Sequence, residues 1–91
     1  MTATTMTRTW KVEIAFTEDV NHTTAMATLR TPGGRELRGQ GQARRNPADR
    51  PLAVIGEEVA GARALSHLAH ELLDYAAGEI EANVHGKGMT A

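Results

Sequence analysis

Between Trp10 and Arg44 apolar side chains tend to alternate with polar ones, and from Ile55 to Val84 they recur every three or four residues. A period of two belongs to a half-buried strand and a period of 3.6 to an amphipathic helix. The change of period therefore predicts a small antiparallel sheet followed by one long helix. In a chain of 91 residues this makes a single α+β domain with no room for a second core. The domain is expected over 8–85, with flexible ends at 1–7 and 86–91. A composition 41% hydrophobic and 23% charged places the chain among globular proteins rather than disordered ones.

The first strand should turn Trp10, Val12, Ile14 and Phe16 inward, and Lys11, Glu13, Ala15 and Thr17 outward. Thr17 to Asn21 reads as a turn. The second strand faces Thr23, Ala25, Ala27 and Leu29 inward, with Met26 and Arg30 on the outer face. Thr31-Pro32-Gly33-Gly34 is a hairpin signal, because proline presets φ and glycine accepts a positive φ. The third strand places Leu37, Gly39, Gly41 and Ala43 inward and Arg38, Gln40, Gln42 and Arg44 outward. Inward glycines weaken a strand unless something must approach its backbone, so the helix is expected to lie across Gly39 and Gly41. Gly39-Gln40-Gly41 is not a phosphate loop, since it lacks the third glycine and the helix that should follow.

Asn46-Pro47-Ala48-Asp49 predicts one short capped turn that Pro51 stops. The main helix should open near Ile55 to Glu57, with Glu57 and Glu58 at its positive end. It should close near Asn83 or Val84 with Gly86 as its cap, and could break at Gly61. Around its axis Ile55, Val59, Ala62, Ala69, Leu73, Ala76, Ala77, Ile80 and Val84 form one stripe. Leu65, Leu68, Leu72 and Tyr75 form a second beside it. Together they cover roughly 200° of the circumference, about twice what a one-sided helix needs. Three strands cover one stripe well, so Leu65, Leu68, Leu72 and Tyr75 are expected to meet the same stripe of a second copy in a homodimer.

Trp10-Lys-Val-Glu-Ile, Gly39-Gln-Gly-Gln-Ala-Arg44, Asn46-Pro-Ala-Asp and above all the run from Ile55 to Leu68 carry a family resemblance. Over roughly Trp10 to Asn83 the chain resembles the small actinobacterial proteins grouped as domain of unknown function 1876, whose fold is similar to a double-stranded-RNA-binding domain. The resemblance implies a sheet of three antiparallel strands, a β-meander in the order 1-2-3, backed by one C-terminal helix. It brings no reaction, ligand or set of functional residues.

Charge divides along the same line as period. Met1 to Arg50 holds eight lysines and arginines against five acids, net +3; Pro51 to Ala91 holds two against six, net −4. Attraction between sheet and helix, or solubility, accounts for this. The sharper alternative is an anion or nucleic-acid surface made of Lys11, Arg30, Arg38, Arg44 and Arg45 on or beside the outer sheet face. RNA binding by the fold analogy is disfavoured. True double-stranded-RNA-binding domains open their last helix with lysines and insert their first loop into the minor groove. Here those places carry Glu57-Glu58 and Glu18-Asp19. The outer face also lacks the aromatics that would stack single-stranded bases.

His67, His70, Glu71 and Asp74 share one helix edge and could approach a zinc-type ion, but they read better as i,i+4 pairs on a wet surface. Ser66 and His70 lie one turn apart without an orienting acid or an oxyanion hole, and Ser66 reads as a small polar residue within the buried stripe. With no cysteine there is no thiol nucleophile, disulfide or thiolate metal site. The expectation is a cytoplasmic, non-catalytic protein-interaction or regulatory module, with no cofactor, no metal site and no membrane segment.

Overall fold

The computed structural model describes residues 4–44 and 53–90, and side chains within the helix over 55–83. The element order is β1 (Val12–Glu18), β2 (His22–Arg30), β3 (Glu36–Arg44) and α1 (Ala53–Thr90). The sheet is antiparallel throughout with order β1-β2-β3, the α+β meander that the change of period predicts. Trp10 falls just ahead of β1 rather than inside it. Arg45, the turn at 46–49, Pro51 and Leu52 lie outside the described residues.

Turn chemistry sets the register. Asp19 donates its backbone N–H to the His22 carbonyl at 2.9 Å, and Asn21 N–H is held by Asp19 Oδ1 at 3.0 Å. Phe16 therefore stands opposite Ala25, Ile14 opposite Ala27 and Val12 opposite Leu29. In the second hairpin Thr31 does the closing: its N–H donates to the Arg35 carbonyl at 2.7 Å and its hydroxyl accepts from Arg35 N–H at 3.2 Å. Gly34 takes φ 89°, the left-handed position that ends a three-residue hairpin loop.

The inner sheet face is built from very small residues. Ala25 pairs with Gly41 and Ala27 with Gly39, so α1 can descend until its backbone touches the strand. A Cβ on Gly39 would strike the Leu68 and Ala64 backbone, and one on Gly41 would strike the backbone of Ala60, Arg63 and Ala64. The buried core is Ala25, Ala27, Leu29, Leu37, Ala43, Ala60, Ala64 and Leu68, with Ile14, Leu72 and Tyr75 packed against it.

This placement corrects the sequence reading of the helix. The sheet takes the line Ala60–Ala64–Leu68 with Leu72 and Tyr75, not the stripe running from Ile55 to Ile80. Leu68 is 4% exposed in its own core and is not available to a partner. The reason is steric: two strand glycines let the helix backbone descend along Ala60, Ala64 and Leu68, and a count of hydrophobic residues underweights alanine.

The helix also differs at its ends. It opens at Ala53, which puts Glu57 and Glu58 one turn inside it, past the reach of the terminal dipole. It runs unbroken through Gly61 and Gly78 and continues to Thr90 instead of capping at Gly86. A glycine inside a helix costs only about 1 kcal/mol relative to alanine, which does not by itself end it. A 38-residue helix is about 57 Å long, against about 30 Å for nine-residue strands. Past Tyr75, which stacks under the Arg35 guanidinium at 5.4 Å, it has left the sheet.

Candidate interaction surface

The helix lies over β3 and β2 and scarcely reaches β1. With Ala64 taken as its underside and about 100° allowed per residue, Arg63 and His67 fall on the β3 side and Gly61 on the β1 side. Their contacts agree with this. Arg63 Nη1 donates to the Gln42 carbonyl at 2.7 Å, and Gln40 N–H donates to His67 Nδ1 at 2.9 Å. Gly61 faces the Phe16 ring. The helix thus supplies two side chains to the hydrogen-bonding groups on the outer edge of β3, where an unpaired strand would otherwise recruit another chain.

On the β1 side the surface is apolar. Leu65 and Leu72 stand about a quarter turn round from Ala64, with Ala62, Ala69 and Ala76 beyond them and Ile55, Leu73 and Ile80 opposite the sheet. Leu73 is 66% exposed, Ile80 65%, Ile55 53% and Leu65 43%. Val12 and Phe16 turn toward the same side from β1 and remain more than a third exposed, whereas Trp10, ahead of the strand, lies with Lys11, Glu13, Thr28 and Arg30 of the outer face. An apolar shelf on β1 thus adjoins an apolar wall on α1. Of the four residues the sequence reading assigns to a partner, Leu65 lies in this wall and Leu72 at its foot. Leu68 and Tyr75 belong to the sheet contact.

The arginine surface is dispersed. Glu36 holds both Arg38, at 2.7 Å, and Arg30, at 3.4 Å. Arg44 lies at the far end of β3, six residues and about 20 Å from Arg38. Lys11 joins Arg8, Arg30, Glu13 and Glu36 around an open groove of about 640 Å³ beside the second hairpin. Across β2 and β3 the His22 ring meets Gln42 Oε1 at 3.2 Å, and Met26 is half-buried among these polar groups.

On the histidine edge, His67 is committed to structural bonds. Besides its bond to β3, His67 meets Glu71 Oε1 through Nε2 at 3.3 Å. Among the described residues no group of three histidine or carboxylate side chains is placed to share an ion. Ser66 is exposed rather than buried, and no hydrogen bond joins it to His70 among the described residues. No helix there is long and apolar enough to cross a membrane.

Three antiparallel strands laid on one long helix, the line of contact made by glycine against alanine, define a small α+β class. The chain belongs to the Rv2632c-like family, whose model matches residues 8–88. It is 42% identical to the uncharacterized protein Rv2632c of Mycobacterium tuberculosis over 78 residues, 86% of this chain and 83% of that protein. It is 45% identical to the uncharacterized protein Mb1767 of Mycobacterium bovis over 76 residues, 84% of this chain and 80% of that protein. The crystal structure of Rv2632c superposes with a TM-score of 0.82 at 40% identity, covering 91% of this chain and 98% of that one.

Proposed function

We propose that the protein is a non-catalytic interaction or regulatory module of the cytoplasm that works as a homodimer. What supports this reading is the exposed apolar wall of α1. Leu73, Ile80, Ile55 and Leu65 lie on one side of a helix whose opposite side is already committed to the sheet. Isolated exposed leucines are ordinary, but a contiguous apolar face on a helix marks a contact surface. Covering a side chain of this size stabilises by about 1.5–3 kcal/mol before association costs, so four of them make a substantial drive. Light scattering should return twice the chain mass for the native protein. For Leu73→Glu it should return a monomer with an unchanged circular dichroism spectrum. A native protein that scatters as a monomer refutes the reading.

A second reading rests on Arg8, Lys11 and Arg30 around the open groove. It makes the protein a weak anion or nucleic-acid binder and would give meaning to a fold resembling a double-stranded-RNA-binding domain. Fluorescence anisotropy with short duplex and single-stranded RNA should then show binding that weakens steeply with salt and is lost in Lys11→Glu. Absence of binding at low salt removes it.

A further inference from the structure

Two surfaces of this molecule each lack what the other has. The inner face of β1 is only grazed by the helix, which meets it at Phe16, and the outer face of α1 has no sheet over it. We infer that two copies complete each other: α1 of one subunit lies over β1 of the other, and the two helices run side by side between the two sheets. The inference rests on the homodimer reading and gives it a geometry.

The spacing on α1 supports the helix pairing. Leu65 and Leu72 are seven residues apart, Ala62, Ala69 and Ala76 are seven apart, and the two sets alternate by three and four. That is a heptad seam on the flank turned toward β1. Glu58 and Glu79 occupy the next places in the leucine series and bound the seam at about two heptads. Alanine at alternate places lets the helices approach closely.

A two-fold axis between the helices and parallel to them carries one sheet to the other side of the helix layer. It puts the partner's β1 over Val59 and Leu73, which no strand of their own chain covers. Heights agree without further adjustment. Phe16 is level with Gly61. The four residues from Phe16 to Val12 rise about 13 Å, or about nine residues of helix, which brings Val12 level with Ala69 and Leu73. The partner's Val12 therefore falls on Ala69 and Leu73, and the partner's Phe16 on Val59 and Ala62.

The area suits this occupant. Val12, Phe16, Ile55, Val59, Leu65 and Leu73 are all more than a third exposed. At roughly 70–100 Å² of remaining surface each they offer about 500 Å² per copy, and the seam alanines with a polar rim bring that toward the roughly 800 Å² each partner gives to a stable interface. The helix already caps Gln40 and Gln42 at the edge of β3, whereas the β1 side carries the apolar surface.

The chain has no cysteine, so single-cysteine variants report contacts cleanly. Val12→Cys and Ala69→Cys each replace an exposed residue. A bis-maleimide linker about 8 Å long suits elements packed about 10 Å apart. Refolded from a mixture, the two variants should join into a covalent pair containing one chain of each. Val12→Cys alone should remain single. The same linker applied to Phe16→Cys mixed with Ala62→Cys should give a second covalent pair. Native protein that scatters as a dimer while neither mixture joins overturns the geometry and leaves the homodimer standing. Native protein that scatters as a monomer overturns both.

Discussion

Gly39 and Gly41 occupy the tightest contact of the molecule. A methyl group at either would meet helix backbone, which cannot swing aside as a side-chain tip can. Gly41→Ala should therefore cost about 3 kcal/mol or more in urea denaturation, at the upper end for an overpacked core. Gly33→Ala is the control, since only the Thr31 hydroxyl, at 4.0 Å, comes near. Gly34→Ala should cost about 1 kcal/mol through its positive φ alone, with no steric contribution. His67 acts at the same scale by a different means. Its ring caps a strand-edge N–H that solvent can also reach, so His67→Ala should lower stability by about 1 kcal/mol at most.

At the scale of elements, the strands were legible because alternation, turn residues and paired glycines all point to one register. Pro32, Gly33 and Gly34 fix the second hairpin, and the inward glycines foretell a helix across them. The helix's phase was not legible by the same means. Leu65, Leu68, Leu72 and Tyr75 look like one greasy stripe, yet Leu68 is core while Leu65, three residues earlier, faces away. The deciding signal lies in Ala60 and Ala64, four residues apart and small enough to sit on Gly41 and Gly39. Only the complement of two elements reveals it, since neither element alone does. Leu68→Ala should accordingly destabilise the domain by about 2–5 kcal/mol in chemical denaturation, as for a buried leucine. Leu73→Ala, 66% exposed, should move the monomer's stability by less than about 0.5 kcal/mol. The exposed apolar surface was legible in kind, as an excess of apolar helix circumference, but not in membership. That Val12 and Phe16 stay partly exposed was hidden, because alternation reports that a strand has an inner face and not whether anything covers it.

The molecule as a whole is elongated, 63 × 36 × 18 Å, with a radius of gyration of 18.8 Å where a compact chain of this length would have about 12 Å. The difference comes from α1 running on past the sheet. Residues 77–83 are exposed along their length. A chain ending at Asn83 should unfold at a midpoint within a few degrees of the full-length protein, read by differential scanning calorimetry. A drop of ten degrees or more would mean that the projecting end is held by something. The same overhang, about fifteen residues and some 22 Å, also has a practical use. A fluorescent reporter or an immobilising tag attached at Thr90 would stand off from the sheet by the length of that rod, clear of the outer sheet face.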